Sequence, residues 1–211
     1  NYRVRVASGG TVNYISPKDG AQLYTFTNSR SPGYVRGIEV DFQTRFWYLP
    51  FPLDGLLLGI NYTKVSSKAT YPWRNDTTVF LPPSPGFPRG QIKVITLDRT
   101  REGRLINQPN NILNAYVGYD YGGFSGRLSF LFQGNSVSNI GAFAEQDGFS
   151  KDYFRIDVSA RQKLPWYGLQ IFLDVTNINN RKNESAQASI NGFTSQQFYG
   201  LTANLGLRFI M

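Results

Sequence analysis

The sequence has no cysteine and no histidine. Without cysteine there is no disulfide framework, no thiol nucleophile and no thiolate-bound metal or cluster. Without histidine the usual general base and the usual transition-metal ligand are gone. Every Ser-His-Asp or Cys-His arrangement is therefore excluded. Charge is scarce as well, at 17% of residues against roughly 25% in ordinary soluble domains. No apolar run reaches the roughly 18 residues of a membrane-spanning helix. The excess of basic over acidic residues gives a net charge of +8, but no more than two Lys/Arg are consecutive, and a nucleic-acid partner is not expected.

What is present is aromatic and alternating. Aromatic residues make up 15% of the 211. Between 38 and 48, Ile38, Val40, Phe42, Phe46 and Tyr48 alternate with Glu39, Asp41, Gln43, Arg45 and Trp47. Leu56, Leu58, Ile60 and Tyr62 repeat the pattern, as do Leu113, Ala115, Val117, Tyr119 and Tyr121. It returns at Leu128, Phe130 and Phe132, and at Phe154, Ile156, Val158 and Ala160. Leu169, Ile171, Leu173 and Val175 follow, and then Tyr199, Leu201, Ala203, Leu205, Leu207 and Phe209. A period of two is the signature of a strand with one apolar face.

The expected fold is all-β and antiparallel, one domain over 1–211, with about eight strands near 2–16, 22–48, 55–69, 109–121, 124–137, 151–164, 168–178 and 196–209. The second is too long for one strand; Ser31-Pro32-Gly33 marks either a kink or a break into two. A short strand is also expected at 91–97, within the long link 70–108.

The links at 49–54, 122–123 and 165–167 are short, while those at 70–108, 138–150 and 179–195 are long. Because they alternate, antiparallel strands gather all short links at one end and all long links at the other. Transmembrane β-barrels are built this way, and their strands need only about 9–11 residues. Trp47, Tyr48, Phe51, Tyr119, Tyr121, Phe124, Trp166, Tyr167 and Phe209 fall near the short-link end, where an aromatic girdle belongs. The faces opposite the apolar ones carry Glu39, Asp41, Arg45, Arg127, Arg155, Asp157, Arg161, Lys163, Asp174 and Arg208. That mixture suits a lumen in which charges pair with one another or with a plug.

Tyr34-Val35-Arg36-Gly37-Ile38-Glu39-Val40, after Asn28, resembles the "N…G-x-E" strand of TonB-dependent outer-membrane receptors. Gly55 to Tyr62 resembles the strand that returns after it, and Pro109 to Asn114 the opening after a long loop. Asp157-Val158-Ser159 and Leu173-Asp174-Val175-Thr176-Asn177-Ile178 resemble later strands, and Gly200 to Phe209 the closing strand. The run FWYLPFPLDGLL is similar to receptors of the Bacteroidetes type. Tyr199, Leu201, Leu205, Leu207 and Phe209 resemble the C-terminal signal read by the barrel-assembly machinery, although Ile210 and Met211 follow the aromatic.

The resemblance implies the C-terminal part of a barrel of roughly 22 strands. It implies a plug domain, earlier strands and a TonB-contacting segment upstream of Asn1, consistent with a chain that lacks an initial Met and a leader. It also implies a place in the bacterial outer membrane, import of an extracellular ligand with energy from TonB, no cofactor and no catalysis. Outer-membrane lipid or lipopolysaccharide would surround it. In the largest loop, Tyr71, Trp73, Arg74, Phe80, Phe87 and Arg89 are candidate ligand contacts, since aromatics and Arg dominate recognition sites. Arg99, Arg101 and Arg104 are a candidate anion-attracting cluster. Glu145, Asp147 and Asp152 lack the regular spacing of a Ca²⁺ loop, so no metal site is expected.

The alternatives are a soluble or secreted β-sandwich that binds carbohydrate through aromatic loops, a small self-closed outer-membrane barrel, and an outer-membrane enzyme working without histidine. The three matches to the glycosylation sequon, at Asn61, Asn75 and Asn183, read as chance.

Overall fold

In the computed structural model the chain is all-β, with antiparallel sheets and, among the described residues, two single turns of 3₁₀ helix at Leu53–Gly55 and Ala144–Gln146. The structure describes residues 3–7, 11–15, 22–26, 31–141, 143–166, 168–190 and 192–209; side chains before 31 and at 72–75, 96 and 98 lie outside that description. In order, the strands are β1 (Arg3–Ala7), β2 (Thr11–Ile15), β3 (Gln22–Phe26), β4 (Tyr34–Arg45), β5 (Leu56–Leu81), β6 (Gln91–Gly103), β7 (Asn111–Tyr121) and β8 (Phe124–Gln133). They continue with β9 (Ser136–Asn139), β10 (Gly148–Ser150), β11 (Tyr153–Lys163), β12 (Leu169–Thr176), β13 (Asn183–Gln187), β14 (Ser195–Gln197) and β15 (Thr202–Phe209).

The main sheet runs β15-β12-β11-β8-β7-β5-β4, with β6 paired to β5 off that path; β1, β2 and β3 form a separate meander. Its register explains the sequence alternation. Val40, Tyr62, Leu113, Phe132 and Phe154 form one row across five strands. Phe42, Ile60, Ala115, Phe130 and Ile156 form the next. Thr44, Leu58, Val117, Leu128, Val158, Val175 and Ala203 cross the whole sheet. Directly opposed residues share a face, so every apolar set lies on one side. A slip of one residue anywhere would turn that strand's apolar set to the other side.

The apolar side is uncovered. Val137 is the one buried apolar side chain among the described residues, and it lies in β9, outside the main sheet. Even in the middle strands Val117 is 46% exposed and Phe154 41%. A sheet ordinarily buries its apolar face on a second layer; here no second layer is supplied by the described residues. No helix among them is long and apolar enough to cross a membrane.

The two ends differ as the link lengths predict. At one end β7 turns into β8 through Gly122 and Gly123, with φ of 56° and 82°. Two consecutive positive φ values define the two-residue hairpin that matches strand twist, and glycine adopts them without strain. The link from β4 to β5 folds back through Phe46 N–H donating to Leu56 O, at 3.0 Å, and the 3₁₀ turn. At the β11–β12 turn, Leu164 N–H donates to Leu169 O at 2.8 Å.

At the other end the long links are not irregular loops. Residues 69–81 of β5 pair with 91–103 of β6, an arm of about 40 Å at roughly 3.3 Å per residue. The expected loop over 70–108 is thus mostly a hairpin whose strand β6 replaces the shorter one expected at 91–97. The links 138–150 and 179–195 contribute to a second sheet, β14-β13-β10-β9. The expected strand 2–16 is β1 and β2, and 22–48 is two strands, β3 and β4, separated by a segment that includes Ser31-Pro32-Gly33.

Candidate functional site

The long-link end is held together by polar staples. Arg101, on the arm, donates from Nη1 to Asp147 Oδ2 at 2.7 Å, and its Nη2 reaches both Asp147 and Gly141 O. Arg104 donates to Asn135 Oδ1 at 2.8 Å and to the Asn135 carbonyl at 2.6 Å. Tyr71 donates its hydroxyl to Arg104 O at 2.8 Å, and partial burial pushes that phenol's pKa up. The guanidinium of Arg101 holds the Asp147 carboxyl below the usual carboxylate range, and the carboxylate raises Arg101 in return.

Asn177 ends β12 with φ of 57°, a left-handed conformation that asparagine tolerates better than most residues. It is 5% exposed. Its Nδ2 donates to Gly200 O at 2.8 Å and to Arg181 O at 3.2 Å, while its Oδ1 accepts from Arg181 N–H at 2.7 Å. Its own N–H donates to Asp157 Oδ1 at 2.8 Å. Asn179 extends the pairing of β11 with a side chain, accepting from Ile156 N–H at 3.1 Å and donating to Phe154 O at 2.8 Å. These two asparagines fix where the 177–201 link leaves the sheet.

That link and the polar face enclose a cleft of about 640 Å³. The main sheet contributes Leu131, Gln133, Tyr153, Arg155, Thr176 and Thr202; the small sheet contributes Ser150, Asn183, Glu184, Ser185, Ser195 and Gln197. Lys151, Asn177, Tyr199 and Gly200 complete it. Lys151 Nζ stands 3.8 Å from Glu184 Oε2, and Arg155 is paired to Asp157 at 3.0 Å. The volume lies within the roughly 300–1,000 Å³ of small-molecule sites. Its lining of amides, hydroxyls, two tyrosines and paired charges is a hydrogen-bonding surface. It fits a polar ligand rich in hydroxyl or amide groups.

The residues expected from sequence fall into three groups. Glu39, Asp41, Arg45, Arg127, Arg155, Asp157, Arg161 and Asp174 lie, by register, on the face opposite the apolar rows. Two pairs form there. Arg127 crosses from β8 to Asp120 on β7, at 2.7 Å, and Arg155 pairs with Asp157 along its own strand. Asn61 Nδ2 bridges Glu39 at 2.9 Å and Asp41 at 3.3 Å. Of the eight, only Arg155 lines the cleft.

The arm residues are not brought together. Tyr71 sits at its base as a staple, whereas Phe80, Phe87 and Arg89 are exposed near the tip. The register separates them by nine residues or more, about 30 Å at strand rise. The side chains of Trp73 and Arg74 lie outside the described residues. Within the cluster Arg99, Arg101 and Arg104, the last two are occupied as staples, and only Arg99 projects as exposed. Asp147 and Asp152 are engaged with Arg101 and with Asn135 N–H.

In the closing strand, Leu205, Leu207 and Phe209 stand on the apolar side of edge strand β15, 56–72% exposed. Leu201 and Tyr199 precede the strand, and Tyr199 donates its hydroxyl to Gln197 Oε1 at 2.8 Å. At the short-link end Phe51 packs on Tyr121 at 5.3 Å and Trp47 meets Tyr48 edge-on at 5.9 Å. Tyr167, Ile210 and Met211 lie outside the described residues.

Sequence reasoning missed the cleft's amides, Asn177, Asn183 and Gln197. The available signal was the asparagine-rich run 177–183, a composition that favours left-handed turns. Comparison of the chain with protein-family models, with curated proteins and with solved structures gives no match.

Proposed function

We propose that this chain is part of the wall of a bacterial outer-membrane receptor of the TonB-dependent kind, and that it admits a polar extracellular ligand. The observation that carries the reading is the register: seven strands place all their apolar sets on one uncovered face, with paired charges on the other. In water such a face costs about 25 cal/mol for each Å² left exposed. Lipid chains remove that cost without a second protein layer. The segregation of tight turns from long, structured links and the aromatic cluster at the tight-turn end support the same orientation.

In this reading the tight turns face the periplasm and the arm and small sheet face outward. The cleft lies at the outer mouth of the lumen and holds the ligand by hydrogen bonds. A plug domain and TonB, acting through another part of the protein, supply the energised step. The barrel-assembly machinery inserts the strands. The chain's own residues bind and position, and no covalent chemistry is asked of them.

The test is extraction and gel mobility of the full-length protein. The expected result is recovery only with detergent, and a folded band that shifts on boiling. A folded β-rich protein recovered from the buffer-soluble fraction overturns the membrane reading and favours a sandwich whose apolar face meets a second sheet.

A further inference from the structure

The apolar face of the main sheet carries charge in one corner only. Alternation and register assign to that face Tyr34, Arg36, Ile38, Val40, Phe42 and Thr44 of β4, and the even-numbered residues of β5 from Leu56 to Lys68. The same rule assigns it the odd-numbered residues of β7, β12 and β15 and the even-numbered residues of β8 and β11. Among all of these, the charged residues are Arg36, Lys64 and Lys68. All are cations, and all sit at the long-link end of the β4–β5 pair. The opposite face mixes both signs along its whole height.

The three are neighbours. Arg36 is directly opposite Ser66, which puts it diagonal to both Lys64 and Lys68, with Cα atoms roughly 7–8 Å apart. Lys64 is opposite Ile38 and Asn111, and Lys68 is opposite Tyr34. The Arg36 guanidinium lies 5.6 Å from the Tyr34 ring centroid. Lys68 is paired with Glu102, while Arg36 and Lys64 have no acidic partner among the described residues. One row below begins the apolar band, with Val40 and Tyr62, whose hydroxyl donates to Asn111 Oδ1 at 2.7 Å.

We infer that this corner binds the phosphorylated headgroup of an outer-leaflet glycolipid. The inference rests on the membrane reading above and names one lipid contact of that wall. A ligand for this corner needs an anion at the height of Arg36 and Lys64 and an apolar body continuing down over Val40, Phe42 and Ile60. A lipid with phosphate on its headgroup has both parts in that order. Arginine grips phosphate oxygens bidentately and lysine adds a point charge, while the tyrosines sit at the boundary where aromatic rings with polar tips collect.

Native mass spectrometry of the detergent-extracted full-length protein tests this. The probes are a bisphosphorylated diglucosamine lipid, the same lipid with its phosphates removed, and inorganic phosphate as competitor. The wild type should retain the phosphorylated lipid in preference to the dephosphorylated one, and millimolar phosphate should leave it in place. Arg36→Ala/Lys64→Ala should weaken retention about 10- to 30-fold. Glu102→Gln, which frees Lys68, should strengthen it about 3-fold, a gain that misfolding does not produce.

Equal retention of the two lipids, equal retention by wild type and double variant, or displacement by phosphate overturns the inference. Boiling-dependent gel mobility, recorded on every variant, separates this from the larger reading. Membrane-embedded protein without phosphate discrimination sinks the headgroup site alone. A wild type that is folded and soluble without detergent sinks both.

Discussion

Arg101 and Asp147 join two links that are far apart in sequence and would otherwise move independently. Arg101 belongs to the arm that rises from the sheet; Asp147 lies between β9 and β10. Their side chains are 18% and 13% exposed, and Gly141 N–H donates to the same carboxylate at 2.9 Å.

The pair should make the arm's docking acid-sensitive in one direction only. Asp147 has its folded pKa lowered by Arg101. Its contribution is therefore complete above the unfolded carboxylate value, about 3.9, and is lost as pH falls through the lowered folded value. Protection of 91–108 against hydrogen exchange, corrected for the intrinsic rate at each pH, should stay flat from neutral pH down to about 4 and fall below it. Asp147→Asn should remove about 2 kcal/mol of local protection at pH 7 and abolish the acid step. An unchanged acid step in the variant would show that another group carries it.

Charge placed on the apolar face should cost more at mid-height than at the rim. Val117→Arg is expected to destabilise the inserted protein by about 2–4 kcal/mol and Tyr121→Arg by about 1 kcal/mol or less. Ser129→Arg, on the polar face, should be near neutral. Urea unfolding from lipid vesicles measures all three. A soluble core has no such gradient, so equal cost at the first two positions would contradict a lipid-facing sheet.

Asn177 combines a left-handed backbone with four hydrogen bonds. Asn177→Gly keeps the conformation and loses the side-chain bonds; Asn177→Ala loses both. The alanine variant should be the less stable of the two by about 1 kcal/mol. Both should raise exchange across 177–201 and weaken any ligand held by the cleft. A glycine variant indistinguishable from wild type would show that the conformation, not the amide, positions the link.

Gly118 is directly opposite Arg127, and a Cβ there would fall 2.5 Å from Arg127 Cδ. The missing side chain is what lets Arg127 lie across β7 to reach Asp120, with bonds of 2.7 and 2.9 Å. Gly118→Val should break that pair and cost about 1–2 kcal/mol. Adding Arg127→Met to it should cost little more, because the interaction is already gone. Full additivity of the two would mean that glycine serves some other purpose.

The strands of the main sheet were legible because one face is apolar along most of their length. Leu113 to Tyr121 and Phe154 to Ala160 announce both their period and their side. The arm was hidden by its chemistry. Pro72 removes a ladder donor inside β5, and Pro82, Pro83, Pro85 and Pro88 crowd the tip, so the stretch reads as a loop. Strands β9, β10 and β14 have three or four residues each, too few to show any period. The cleft depends on those strands and on Asn177, whose partners Gly200 and Arg181 are set by the fold and not by any local pattern.

The order β15-β12-β11-β8-β7-β5-β4 has an arithmetic consequence. Every neighbour in it is antiparallel, and there are seven strands, so the two outermost, β4 and β15, run in the same direction. They cannot meet as an antiparallel pair. Sealing this ribbon into a cylinder of alternating strands takes an odd number of additional strands between them, giving the even total of single-chain bacterial barrels. The β1–β2–β3 meander is one odd set, and fifteen strands, bringing the total to about 22, is another. Parity rules out an all-antiparallel closure of the seven upon themselves.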